Sequence, residues 1–385
     1  MSATPTETPA RRSVLVVDDE PGMRYTARRI LEARYDVIEA ASGEDAIDRF
    51  GERPFNIALV DLRLPGQSGL ELLSSIKVMS PATDVVIMTG SAKDPEEALL
   101  GSIRRKAFFF LRKPFSAAVL ETLVDRITET QTLEERVLLN AQRLEEDLEN
   151  ARKFQIGLLP PREWKGRRIE VAGLYVPSAR LSGDLIDYWT LPGGGTALLA
   201  ADVMGHGASA AMMTGIVKTQ LRSLASQETD PAGILLELDA ALRGLTIHRF
   251  LTILLVIDEG ASGGIRYCGA GHPPGILRTP DGAILPLESD GPPLNILGLD
   301  PYPRHSEILP RVAGSRIFIC TDGFADAESL DGARLNESPD FRAVVEQALQ
   351  LPPVPARARL DEMLAAHIRG KDQEDDRALL VAELR

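Results

Sequence analysis

Between residues 13 and 128, five short apolar runs (VLVVDD, IEA, NIALVDL, TDVVIMTG and AFFFLRK) alternate with amphipathic stretches of helical period. No other feature restricts the fold of this chain as much. Strands joined through helical crossovers run parallel, and the right-handedness of such crossovers sets helices on both faces of one sheet. The expected N-terminal architecture is α/β, a doubly wound sheet of five parallel strands. Ser42, with Asp45 three residues on, marks a helix start, because a serine hydroxyl accepts a backbone N–H that has no partner in the first turn.

In such a sheet, ligands gather at the carboxyl ends of the strands near the point where strand order reverses. The strand ends carry Asp18 and Asp19, then Asp61, Thr89 and Lys113. Converging carboxylates repel one another unless a cation sits among them, and an all-oxygen donor set favours Mg2+. A carboxylate beside that ion can attack phosphorus to form an aspartyl phosphate, whose new charge a hydroxyl and an ammonium group would hold. Any one of these acids alone reads as a solvated strand end, whereas matches at four strand ends read as a site.

With these motifs, residues 13 to 128 resemble a response-regulator receiver domain of flavodoxin-like fold. The resemblance implies that Asp61 in VDLRLPG is the phosphoacceptor, and that Asp18, Asp19, Asp61 and the backbone carbonyl of Arg63 bind Mg2+. It also implies that Thr89, Lys113 (followed by Pro114) and Phe110 are switch residues, and that a histidine kinase or phosphotransfer protein is the phosphodonor. Lys106-Ala107 stands where the family usually has Gly-Ala, a departure that bears on the output face and not on the phosphorylation chemistry.

Residues 1 to 12 are rich in Ser, Thr and Pro and read as a loose tail without a secretion signal. From about Leu120 to Ala151 the chain becomes charged and loses Gly and Pro. Leu120, Leu123, Ile127, Thr130, Glu134, Val137, Ala141, Leu144, Leu148 and Ala151 fall on alternating three- and four-residue steps, the spacing of a heptad seam. Two readings fit: a helix packed on its own domain, or a coiled-coil linker over 129 to 152 that makes a homodimer. The acidic outer positions Glu145, Glu146, Asp147 and Glu149 need no second apolar contact, which favours the coiled coil.

Beyond Pro160-Pro161 come β runs such as TALLAADV, FLTILLVID, RIFICTD and ALLVAEL, with helical stretches around 208 to 225, 231 to 244 and 338 to 370. This pattern predicts an α/β sandwich of antiparallel sheets flanked by helices. Four acid-bearing turns stand out: SGDLID with Asp184 and Asp187, ADVMGHG with Asp202, CTDG with Asp322, and EDDRALL with Asp375 and Asp376. Taken singly, each acid is a cap, a turn former or a solvated hairpin residue. Gathered in one cleft they would demand divalent cations, and oxygen-only donors suit Mg2+ or Mn2+ better than zinc. Two such ions clamp a phosphoryl oxygen and activate water, so phosphate monoester hydrolysis is the natural chemistry. No GxSxG elbow or Cys-His pairing offers a competing nucleophile, and Cys320 reads as core.

The order SGD, DVMGHG, GAGHPP, TDG, DD over about 153 to 385, opening at RKFQIGLLPP, resembles the PPM-type protein phosphatases of the SpoIIE-like, sigma-factor-regulatory branch. The resemblance implies that Asp184, Asp202, Asp322 and Asp375, with the Val203 carbonyl, bind two Mn2+ or Mg2+ ions. Asp187 and Asp376 become accessory acids, and His206 is either a general acid or structural. His272 orders its loop. Ala378, Asn295 and Asp326 replace the Thr, Gly and Glu common in the family, and none of these changes removes a ligand.

The expected protein is a two-component response regulator in which phosphorylation of Asp61 controls a serine/threonine phosphatase. By resemblance, its substrate is an anti-sigma-factor antagonist of the STAS type. The alternative is a pseudophosphatase that binds a phosphoprotein without hydrolysing it. A formal charge of −13 disfavours nucleic acid and anionic lipid, no apolar run is long enough to span a membrane, and two distant cysteines suit a reducing cytoplasm.

Overall fold

The computed structural model describes residues 11–90, 109–205, 207–243, 249–260, 263–289, 291–296, 300–338, 341–371, 373 and 375–385. The chain divides into two compact units with the boundary between Gln142 and Arg143.

In the first unit β1 (Ser13–Val17), β2 (Asp36–Ala40), β3 (Ile57–Asp61), β4 (Asp84–Thr89) and β5 (Phe109–Arg112) form a parallel sheet in the order β2-β1-β3-β4-β5. Strand order reverses between β1 and β3, so the residues that follow them meet at one end of the sheet. The central strands are nearly all apolar because both faces are covered. Ala27, Leu31, Leu120, Val124 and Ile127 pack on one face, and Ala46, Phe50, Leu72 and Ile76 on the other. Ser42 caps the Gly43–Glu52 helix by accepting the Asp45 N–H at 3.2 Å, and Ser68 with Glu71 forms a capping box at the Gly69–Met79 helix.

A single helix of 42 residues, Ala117–Leu158, contains the stretch read as a helical linker over 129 to 152. Its opening turns correct the predicted seam: Leu120 and Ile127 are fully buried against their own sheet and are not available to a second chain. Farther along, Leu133, Val137, Leu138, Leu139 and Leu144 are 46% to 69% exposed. Among the described residues no helix is long and apolar enough to cross a membrane.

The second unit holds β6 (Glu163–Lys165), β7 (Ile169–Val176), β8 (Asp184–Thr190), β9 (Thr196–Val203), β10 (Leu251–Asp258), β11 (Ile265–Ala270), β12 (Gly275–Arg278), β13 (Ile284–Leu287), β14 (Glu307–Leu309), β15 (Arg316–Cys320) and β16 (Arg377–Leu384). They form two antiparallel sheets, ordered β14-β11-β10-β9-β8 and β13-β12-β15-β16-β7-β6. Alternation along the strands decides the layers. On β9, Leu198 and Ala200 pack between the sheets, while Ala197, Leu199 and Ala201 face the Ala208–Leu224 and Pro231–Arg243 helices. On β16, Leu379 and Val381 face a second helical layer. The helical stretch predicted at 338 to 370 is two helices, Phe341–Ala348 and Pro353–Ile368, because Pro352 and Pro353 cannot donate backbone hydrogen bonds and Pro353 is suited to a helix start.

Candidate active sites

At the reversal point of the parallel sheet, Lys113 joins two of the predicted acids, with its Nζ 2.5 Å from Asp18 and 2.6 Å from Asp61. Both carboxylates are buried. The Glu20 N–H donates to Asp18 at 3.0 Å and the Arg63 N–H to Asp61 at 3.2 Å, which fixes both side chains. Burial pulls the Lys113 ammonium pKa down, but hydrogen bonds and charge from Asp18 and Asp61 outweigh it and raise the value. Asp19 is exposed beside them, Thr89 ends β4 opposite Arg112, and Phe110 packs half-buried against the sheet core.

In the second unit both sheets send acids to one end. Asp184 opens β8 directly across from Asp202, which lies one residue before the end of β9. Asp322 follows β15 and opens the short Asp322–Ala325 helix, and Asp375 with Asp376 immediately precedes β16. Close backbone contacts set the spacing. A Cβ on Gly323 would lie 1.8 Å from the Asp376 carbonyl oxygen, and one on Gly183 would lie 2.6 Å from the Val203 carbonyl oxygen. Asp376 accepts from the Gly183 N–H at 2.8 Å and from the Ser178 N–H at 2.7 Å, so it shapes the loop that carries Asp184. The Thr321 hydroxyl donates to Asp184 at 2.7 Å and accepts the Ala378 N–H at 3.0 Å.

Burial, then the Asp202 charge, push Asp184 well above the usual carboxylate range, against the Thr321 hydrogen bond. Burial and the charges of Asp322, Asp375 and Asp376 push Asp202 up to about 7, and burial with Asp375 raises Asp322. These acids share one field and cannot all ionise cheaply without a cation. Among the described residues no three such side chains close on one point as a finished cage. An all-oxygen, strongly acidic donor set fits hard divalent ions.

Asp187 does not join this cluster. It lies three residues after Asp184, hence on the opposite face of β8, where its buried carboxylate pairs with Lys218 at 3.0 Å and with Arg222 through two bonds of 2.9 Å. Its expected accessory role is corrected to that of an anchor for the Ala208–Leu224 helix. His206 lies outside the described residues. His272 is buried, its ring Nδ1 shares a 2.9 Å hydrogen bond with the Thr252 hydroxyl, and its backbone N–H donates to the Ser289 hydroxyl at 3.1 Å, contacts that order its loop. Asn295 has φ 59°, which explains why it stands at a glycine position: asparagine tolerates the left-handed region.

Sequence reasoning missed Gln155, near the end of the Ala117–Leu158 helix. Its buried amide donates to the Ser182 carbonyl at 2.7 Å and accepts the Ser182 N–H at 3.1 Å, two residues before Asp184. Lys218 also donates to the Leu158 carbonyl. No local sequence signal marks it, because its partners lie far away in the chain.

Residues 192–385 match the family Stage II sporulation protein E (SpoIIE), and residues 14–125 match the response regulator receiver domain. The phosphoserine phosphatase RsbP of Bacillus subtilis is 30% identical over 194 residues, covering 49% of this chain and 46% of that protein. The sensory/regulatory protein RpfC of Xanthomonas campestris is 34% identical over 126 residues, covering 31% of this chain and 17% of that protein. The chain thus spans less than half the length of these curated relatives. The SiaA-PP2C domain of Pseudomonas aeruginosa superposes with a TM-score of 0.53 at 19% identity, covering 64% of this chain and 99% of that one, and so shares its fold. On these matches the chain belongs to the SpoIIE family, with a response-regulator receiver domain ahead of its PPM-type phosphatase domain.

Proposed function

We propose that this protein is a response regulator whose C-terminal unit hydrolyses phosphoserine or phosphothreonine in a partner protein. The observation that carries the reading is that turns from both sheets bring Asp184, Asp202, Asp322 and Asp375 to one end of the unit, where burial first and neighbouring acids second raise Asp184, Asp202 and Asp322. Asp184, Asp202, Asp322 and Asp375, with the Val203 carbonyl, would hold two Mg2+ or Mn2+ ions. When bound, such ions supply Lewis acidity for attack on a phosphate ester. Asp376 and Thr321 orient Asp184 and its loop, while burial of Asp184 keeps bulk water from screening the field.

In the receiver, Asp61 would take the phosphoryl group, Asp18, Asp19 and the Arg63 carbonyl would hold Mg2+, and Lys113, already paired with Asp18 and Asp61, would meet the new charge. A receiver domain implies a phosphodonor such as a histidine kinase. The name of the Bacillus relative supports a phosphoserine substrate, and a STAS-type anti-sigma-factor antagonist is the partner we favour. The helix carrying Gln155 passes the receiver's state to the Asp184 loop, and its exposed stripe at Val137 and Leu144 pairs two copies in the cytoplasm.

The test is Mn2+-dependent hydrolysis of an aryl phosphate and a phosphoserine peptide, with Asp202→Ala and Asp322→Ala as controls, with and without an acyl-phosphate donor. Absence of metal-dependent turnover refutes the enzyme. Equal rates with and without the donor refute the control by Asp61.

A further inference from the structure

A cavity of about 270 Å3 opens beside the acids, with Asp322 and Asp375 in its wall together with Arg334, Lys371 and Arg377. The first two of these cations are internally compensated. Arg334 pairs with Asp326 at 3.5 Å and Lys371 with Glu328 at 3.1 Å. Arg377 differs: it is half-buried, and its side chain makes no hydrogen bond or ion pair among the described residues, with only the more distant field of Asp361 acting on it. It opens β16 two residues after Asp375, on the face shared with Leu379 and Val381, which pack with Phe324 and Leu335 beside the Asp322 turn.

A half-buried guanidinium with no acceptor forfeits its strongest interactions. Its planar fork matches two oxygens of a phosphoryl or carboxylate group. We propose that Arg377 is the anion-reading residue of this cavity and takes an oxyanion of the phosphoprotein substrate: the phosphoryl group itself, or a carboxylate flanking the phosphoserine. The proposal rests on the phosphatase reading above. Arg377 sets substrate affinity and selectivity here, and the neighbouring acids carry out the chemistry.

The experiment uses the full chain with Mn2+, as wild type, Arg377→Gln and Arg377→Lys, on three substrates: an aryl phosphate, a phosphoserine peptide with neutral flanks, and the same peptide with glutamate flanks. Arg377→Gln is expected to raise KM roughly 10- to 100-fold, the range for one charge-assisted hydrogen bond, with kcat less affected. Arg377→Lys recovers part of the loss. A rise in KM on all three substrates assigns the phosphoryl group, and a rise confined to the glutamate-flanked peptide assigns the flanking carboxylate. An unchanged KM on every substrate, including a fall in kcat alone, overturns the proposal. A wild-type protein that hydrolyses none of them defeats the phosphatase reading, and this proposal with it.

Discussion

Replacing Asp187 with asparagine separates the structural anchor from the catalytic cluster. The Asp187 carboxylate is fully buried, with Lys218 at 3.0 Å and 11% side-chain exposure, and Arg222 at 2.9 Å and 44% exposure. Because Arg222 is so exposed, solvent screens its share, and the cost falls mainly on Lys218, a nearly buried ammonium left with the Leu158 carbonyl. Breaking one partner of a buried ion pair costs about 3–5 kcal/mol. For a unit of this size that is a fall in Tm of roughly 6–20 °C. Metal-free thermal melts of the full chain read the fall, and calorimetric Mn2+ titration reads the site. A second variant combining Asp187→Leu with Lys218→Met removes both charges and should regain most of the stability. The reasoning is refuted if Asp187→Asn melts like the wild type but loses Mn2+ binding, because the carboxylate would then belong to the metal site.

Three further outcomes are expected. Burial and neighbouring acids raise Asp202 to about 7, so its share of metal-free stability is complete below the ordinary carboxylate pKa and is lost as pH rises from there to about 7; in melts between about pH 4 and 7, Asp202→Asn should flatten the decline while weakening Mn2+ binding. Burial pushes His272 down to about 3, so its ring stays neutral in the folded protein while the unfolded chain binds a proton below about pH 6.5; stability should fall on acidification by about 1.4 kcal/mol per pH unit from this group, a slope that His272→Asn removes in urea melts. Light scattering should show a dimer that Val137→Glu or Leu144→Glu converts to a monomer, and a wild type that is already monomeric refutes the seam.

The receiver was legible because its chemistry sits on the pattern that makes its fold: the residues that end β1, β3 and β5 are the ones that meet. The acid turns of the second unit were legible for the same reason, since each adjoins a strand end. Asp187 was misplaced although strand parity held the answer, three being an odd step in a period of two. The seam was drawn too early because a 3.5-residue repeat drifts only about 20° per heptad from an ordinary helix, so the turns at Leu120 and Ile127 suit either partner. Gln155 and Arg377 were invisible for a different reason. Their meaning depends on what lies opposite them across long sequence separations, and no local pattern encodes that.

Where Gly323 meets the Asp376 carbonyl, main chain touches main chain. Two turns that each bring an acid to the cluster are therefore gauged by the thickness of the polypeptide itself. Such a gauge keeps its setting while surrounding side chains drift, and even one methyl group at that position would wedge the turns apart. The spacing of the acids in this chain is thus carried by its backbone, and the side chains lining the cleft do not set it.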